Sequence, residues 1–438
     1  MKKLPQQNIK EIINLFNKNN FSQIITKTEL LKKEYPNEVF LFHIMGMTYY
    51  KLNQLKKAEM NLKKATHINK DFIQIYNDLA NVQAKLGKAE ESIQNYKIAI
   101  NKKPDFVEAH NNLASVLANQ NRIQESIESY KNAIRYKPNY IEALNNFGFL
   151  LKSIGCISEA QDCYKKAFVF SPKNIIYEIN RMLLIPPIGD SNDQIIKSRD
   201  NYVKGLKYLE KYNSNKLYDF ENILPQSFFL SYHAKNNLNI LKKSSKLYRK
   251  ILSDINYISK NTSNNKNQKK IKVGYISQFL TFHTIGKLFG GIIKNLNKNK
   301  FEVFVFHNKE TKSSELKSDI DKNVYKSITL STKIDDQQKQ IEKENLDILF
   351  YTDIGMSPSS YFLAFSKLAP VQIVTWGHPE TTGIDTIDYF LSSTLLESKN
   401  SEKNYSENLI LLDTFPIYYE PPKIIGKLRE RKDLKLPD

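Results

Sequence analysis

Four prolines in the first half of the chain, Pro36, Pro104, Pro138 and Pro172, lie 68, 34 and 34 residues apart, and Lys70 stands where a fifth would complete the series. A 34-residue period constrains the fold more than any other feature. A unit that short cannot bury its own apolar face and must stack on copies of itself. Other positions keep the same beat. A large residue precedes a small one at Met45 and Gly46, Leu79 and Ala80, Leu113 and Ala114, Phe147 and Gly148. Later in each unit come Ala58, Ser92, Ser126 and Ala160, then Leu62, Tyr96, Tyr130 and Tyr164, then Ala65, Ala99, Ala133 and Ala167. The spacing predicts two helices per unit. Small residues let the pair approach, the bulky one packs on the next unit, and proline ends the unit because it cannot continue a helix.

This pattern resembles the tetratricopeptide (TPR) repeat family, with four well-formed repeats and a degenerate one at about residues 5–38. An all-α superhelix is therefore expected over 5–174, its concave face lined by the first helix of every repeat. On those helices lie Asn77, Asn111 and Asn145 in one row and Asp78, Asn112 and Asn146 in the next. Asparagine is a mediocre helix former, so a double row of it in mid-helix wants a reason. Two readings are open: an amide ladder that pairs with the backbone of a bound extended peptide, or the wet face of an Asn-rich chain. An asparagine before a Leu-Gly or Leu-Ala pair is similar to the ladder position in the superhelix of the O-linked N-acetylglucosamine transferases. That resemblance implies a protein or peptide partner in the groove.

A chain of 438 residues has room for two or three domains. No apolar run approaches the roughly 18 residues of a membrane span, and MKKLPQQNIKEIINLF lacks the continuous apolar stretch of a signal peptide. Cys156 and Cys163 are too few for a disulfide framework or a zinc site and read as buried thiols. A cytoplasmic protein without a metal is the expectation. The net charge of +19 invites a nucleic-acid partner. Only 7 of the 65 basic residues are Arg, however, and the lysines are spread through every segment, which describes solvated surface rather than a phosphate-reading patch.

After Pro172 the period stops, and residues 175–258 read as a helical connecting region interrupted at Pro186 and Pro187. The polar run at 259–270 reads as a linker. From Ile271 the texture changes to short apolar runs, IKVGYIS, FEVFVFH, LDILFYTDI, VQIVTWG and DYFLSS, alternating with helical stretches. This predicts a parallel sheet covered on both faces, with ligands bound beyond the carboxyl ends of the strands. Polar residues gather at those ends: Ser277 to His283, His307, Asp353 to Ser357, and Trp376 to Pro379. Neither a dinucleotide fingerprint nor a P-loop is present.

Taken in order, IKVGYISQFLTFHTIGKLFGGIIKNLNKNKFEVFVFH, LDILFYTDIGMSPSSYFLAFSKLAPVQIVTWGHPETTGIDTIDYFLSS and YSENLILL resemble the family 41 glycosyltransferases. The resemblance implies a Rossmann-like lobe at 271–424, the amino-terminal half of a GT-B fold. It further implies inverting, metal-independent transfer of N-acetylglucosamine from a UDP-sugar to Ser or Thr, with no cofactor. Carried over by position, His283 and His378 are the implied catalytic residues. Pro379, Thr381, Thr382 and Gly383 with Gly355 and Ser357 are the implied substrate-binding residues. Gln278, Phe279 and Leu280 stand where the family often has Asp-Phe. In that family most of the nucleotide pocket comes from a second lobe, and residues 425–438 look like the segment crossing to it, so the chain alone is expected to be inactive. The rival expectation is a non-catalytic TPR adaptor carrying a relic lobe.

Overall fold

The computed structural model describes residues 3–213, 223, 226–263, 269–309, 311–377, 380–420 and 431–434. It divides into two units, Met1–Arg181 and Met182–Asp438.

The first unit is a series of antiparallel helix pairs: α1 (Gln6–Asn17) with α2 (Phe21–Glu34), α3 (Val39–Lys51) with α4 (Leu55–Ile68), α5 (Ile73–Lys85) with α6 (Ala89–Lys102), α7 (Val107–Asn119) with α8 (Ile123–Tyr136), and α9 (Ile141–Ser153) with α10 (Ile157–Phe170). Each hairpin turns on a left-handed residue: Asn19, Asn53, Gly87, Asn121 and Gly155, 34 apart throughout. Glycine and asparagine are the residues that tolerate this conformation. The degenerate first repeat thus folds in register with the rest. Within a pair the expected close approach is real. A Cβ on Gly46 would come within 2.5 Å of Leu62, and one on Gly148 within 2.9 Å of Tyr164. Where the small residue is alanine, a hydroxyl ties the helices, Ser92 Oγ donating to the carbonyl of Ala80 (2.8 Å) and Ser126 Oγ to that of Ala114 (2.6 Å).

The two Asn rows bond to each other from repeat to repeat. Asn112 Nδ2 donates to Asn77 Oδ1 (3.4 Å) and to Asn81 Oδ1 (3.1 Å), and Asn146 Nδ2 donates to Asn111 Oδ1 (3.2 Å). Within a repeat, Asn77 Nδ2 donates to Asp78 and Asn111 Nδ2 to Asn112. One repeat earlier His43 takes the same place and meets Asp78 at 2.7 Å. The result is a polar chain running His43, Asp78, Asn77, Asn112, Asn111, Asn146. Asn77, Asp78 and Asn111 are buried in it, whereas Asn112, Asn145 and Asn146 stay half-buried.

Helices α11 (Ile176–Met182), α12 (Asn192–Leu209) and α13 (Leu238–Ile251) follow. The sheet unit runs β1 (Ile271–Ile276), α14 (Thr284–Asn295), β2 (Phe301–His307), α15 (Glu315–Asn323), β3 (Lys326–Thr329), α16 (Ile334–Glu342), β4 (Ile348–Tyr351), α17 (Pro358–Leu363), β5 (Val371–Val374), β6 (Tyr389–Ser393) and β7 (Asn408–Leu412). All strands are parallel, in the order β3-β2-β1-β4-β5-β6-β7. The fold is thus a TPR superhelix followed by a Rossmann-like α/β lobe, the architecture of the amino-terminal half of a GT-B fold. One face of the sheet packs Val273, Tyr275, Val303 and Val305 on Ile285, Phe289 and Ile293 of α14.

The connecting region is not a separate body. Beyond Arg181 it belongs with the sheet, because Tyr248 of α13 sits edge-on to Tyr361 and Phe362 of α17 and to Phe365. Nor is the start of the expected linker loose: the Ser259 amide donates to the Lys367 carbonyl (2.8 Å), and Asn261 Nδ2 donates to the Glu342 carbonyl (2.6 Å).

Candidate active site at the switch point of the sheet

Strand order reverses between β1 and β4, the place where an open parallel sheet leaves a crevice at its carboxyl edge. After β1 the chain turns through Ser277, whose hydroxyl accepts from the Phe279 amide, and reaches α14 at His283. His283 caps that helix: its Nδ1 accepts from the Ile285 amide at 3.2 Å while the ring packs on Phe279 with centroids 4.6 Å apart. Burial holds its pKa below the ordinary value. A neutral imidazole with Nδ1 accepting carries its proton on Nε2. His283 therefore offers a hydrogen-bond donor, not a free base, to a cleft of about 340 Å3 that it lines with Gln278, Phe282 and Lys312.

After β4, Asp353 is fully buried. Burial raises its pKa to about 6 against the pull of hydroxyls from Ser277, Ser360 and Thr352. Gly355 follows in the left-handed region (φ 90°), and Ser357, 1% exposed, donates to Gln278 Oε1 at 3.1 Å. Gly377 passes so close to the preceding loop that a Cβ there would lie 1.6 Å from the Thr352 carbonyl oxygen.

The loop after β5 is held from two sides. Thr381 Oγ1 donates to Glu407 Oε2 (2.7 Å) and the Thr382 amide to Oε1 (2.8 Å), with the Thr382 hydroxyl on the same carboxylate. On the other side Asn237 Nδ2 donates to both oxygens of Glu380 (2.9 and 2.8 Å), and Arg199 Nη1 donates to Asn237 Oδ1 (2.5 Å). Burial pushes Glu380 up to about 7, with Asn237 and Arg199 opposing it. Gly383 (φ 70°) brings the loop onto the α13 backbone, where a Cβ would meet the Leu241 carbonyl carbon at 2.5 Å.

Residues 228–432 match glycosyl transferase family 41, while 41–72 match the tetratricopeptide repeat and 84–121 and 114–155 the TPR repeat. The chain joins TPR repeats to a family 41 glycosyltransferase region. It is 28% identical over 145 residues, 33% of this chain and 15% of the relative, to a probable UDP-N-acetylglucosamine–peptide N-acetylglucosaminyltransferase, SEC, of Arabidopsis thaliana. Over 98 residues, 21% of this chain and 16% of the relative, it is 31% identical to a UDP-glucose:protein N-beta-glucosyltransferase of Actinobacillus pleuropneumoniae. Each of these matches covers about a sixth of the relative's length. An O-GlcNAc transferase of Thermobaculum terrenum superposes with a TM-score of 0.46 at 15% identity, over 88% of this chain and 59% of that one.

Within the family 41 region, His283 and Gln278 line one cleft and Ser357 bonds to Gln278 from beside it, while Gly355 lies in the loop after β4 and is not brought to that cleft. Thr381 and Thr382, expected to face substrate, are instead 2% exposed and turned inward on Glu407, because a buried carboxylate needs donors. Gly383 serves the approach to α13. His378 and Pro379 lie outside the described residues. Sequence reasoning missed Glu380, Glu407, Asn237 and Arg199. The two carboxylates stand in HPETTG and YSENLILL among polar neighbours, and nothing in the sequence marks them, Asn237 or Arg199 as partners. Among the described residues, no helix is long and apolar enough to cross a membrane.

Proposed function

We propose that the chain works as a protein glycosyltransferase, or one subunit of one, moving N-acetylglucosamine from a UDP-sugar to a Ser or Thr hydroxyl of a protein held by the TPR array. The observation that carries this reading is that residues of the matched region meet at the carboxyl edge of the sheet, where His283 and Gln278 line one cleft and Ser357 Oγ donates to Gln278 Oε1. A fixed donor there stabilises negative charge developing on an oxygen, and such a donor contributes on the order of a hundredfold in rate. His283 is the catalytic residue of this reading, while Glu380 and Glu407 position the loop behind it. A second reading follows from the relative named as a UDP-glucose:protein N-beta-glucosyltransferase: glucose as the sugar and a nitrogen as the acceptor atom.

The test incubates the chain, alone and joined to a relative's second lobe, with UDP-N-acetylglucosamine or UDP-glucose and acceptor proteins, and locates added mass by mass spectrometry. Hexosamine on Ser or Thr, lowered about a hundredfold by His283→Ala, supports the proposal. Hexose on Asn moves the assignment to the second reading. No added sugar from either form, with acceptor capture by the array intact, leaves an adaptor.

A further inference from the structure

The sheet ends on two unlike strands. At one end β3, Lys-Ser-Ile-Thr, sets an exposed lysine, Lys326, on its edge, while at the other β7, Asn-Leu-Ile-Leu-Leu, carries no charge. A free edge invites pairing with another chain, and lysine, proline, a bulge or a covering element is the usual guard against it. Among the described residues β7 pairs with β6 alone, in an unbroken register, and shows none of these guards.

The Asn408 amide donates to the Asp388 carbonyl and the Thr394 amide to the Leu412 carbonyl, so the even-numbered residues of β7 face β6. The N–H and C=O groups of Leu409 and Leu411 therefore point away from the sheet. Ile410 and Leu411 are exposed on opposite faces of the strand. Leu395 and Leu396, just past the threonine that bonds Leu412, are exposed beside them.

Charge narrows the choice of occupant. Lys and Arg make up 65 of the 438 residues, yet none falls between Lys367 and Lys399 or between Lys403 and Lys423, the stretches that hold β5, β6 and β7. The carboxylates there are largely answered from within the fold, Asp385 by Arg249, Asp388 by Lys367 and Glu420 by Lys294. A basic partner would find few free carboxylates to recognise. Two copies of a chain with a net charge of +19, by contrast, can meet here without bringing ammonium groups together.

We propose that β7 is the interface between two copies of this chain, paired antiparallel across a two-fold axis so that two seven-stranded sheets become one. An axis at Leu411 sets this residue on its own copy and Ile410 on Leu412, giving three apolar pairs with the outward backbone groups bonded across. An axis at Ile410 would instead set Glu407 against Asp413, and like charges directly opposite repel. The four exposed Leu and Ile side chains present on the order of 300 Å2 of apolar surface per copy. With backbone and rim, both copies together bury roughly 1,000 Å2, the lower bound of a specific interface, which makes the dimer a weak one. The inference stands whether or not the chain transfers sugar.

The test is sedimentation velocity of the full chain over about 1 to 100 µM, the range of a weak dimer. A concentration-dependent shift from 51.0 kDa toward twice that mass is expected. Leu411→Lys sets two ammonium groups at the axis and should raise the dissociation constant about a hundredfold. Leu411 is exposed, so the variant should fold, which circular dichroism checks. A second measurement leaves the edge uncharged. In a background of Cys156→Ala and Cys163→Ala, Leu411→Cys should cross-link on mild oxidation, because paired Cα atoms about 5.5 Å apart suit a disulfide. Leu409→Cys, roughly 14 Å from its mate, should not. The proposal is overturned by a chain that stays at 51.0 kDa, which leaves the strand to a different occupant, or by a dimer that Leu411→Lys leaves intact, which puts the contact on another surface. Failure of Leu411→Cys to cross-link overturns it as well.

Discussion

The TPR array and the carboxyl edge of the sheet both bury asparagines, yet treat them in opposite ways. In the array Asn77 and Asn111 are covered and bonded to the next repeat, each rung answering the last. At the sheet edge Asn308 is equally covered, and neither of its amide atoms is answered. Buried amides of the first kind build structure. Those of the second kind are held in place by their surroundings at a cost to stability.

The contrast can be attacked from four sides. The largest effect is expected from Gly377→Ala. The new methyl would collide with the Thr352 carbonyl, and no flexible side chain stands there to give way. A loss above about 3 kcal/mol is expected, well beyond ordinary overpacking. Thermal unfolding should show the sheet unit melting early while most of the helical signal of the array survives. Asn111→Leu comes next. It strands Asn146 Nδ2 and removes the donor to Asn112, costing about 2 kcal/mol, read as a lower midpoint in urea with an unchanged slope.

Third is the pH dependence of Glu380. Its folded pKa of about 7 lies above the ordinary value of 4.5, so the folded chain holds the proton more tightly than the unfolded one. Stability from this group is fully present below about pH 4.5 and is lost as pH rises through 7. Glu380→Gln should flatten the melting-temperature profile across that window, by an amount on the order of 2 kcal/mol. Trp376, the sole tryptophan and four residues away, reports the same titration by fluorescence. Asp353, raised to about 6, adds to the trend in the same direction and remains in the variant. Smallest is Asn308→Leu, for which stability should stay within about 0.5 kcal/mol of the parent because no bond is broken. A large loss at Asn308, or none at Asn111, would dissolve the comparison.

Much of this architecture is legible in the sequence because its causes are local. The register of Gly46 with Leu62 and of Gly148 with Tyr164 is a contact inside one hairpin, so a period of 34 is enough to place the helices. The left-handed series from Asn19 to Gly155 would have put the first hairpin in register as well. Strands β1, β2 and β4 announce themselves as apolar runs because both sheet faces are covered. Strand β3, Lys-Ser-Ile-Thr, does not: it is a four-residue edge, mostly exposed, with Ile328 its one apolar residue. At the site, His283 can be read from its place after β1, but the partners of the β5 loop cannot. Glu380 meets Asn237 across 143 residues and Thr381 meets Glu407 across 26, and no spacing rule carries that information. The Asn rows are visible in sequence as rows. That they bond to each other, offset by 35 positions, is a property of how the repeats stack.

The polar chain through the repeats has a genetic consequence. Because every rung joins equivalent positions of adjacent repeats, a recombination that removes residues 78–111 would join Asn77 directly to Asn112. Asn112 would then stand where Asp78 stood, facing His43, and Asn77 would face Asn146 as Asn111 did. The array would shorten by one repeat with its chain of rungs unbroken. Deletion of any number of codons that is not a multiple of 34 would misalign them, so this part of the gene can change length only in whole repeats without stranding a buried amide.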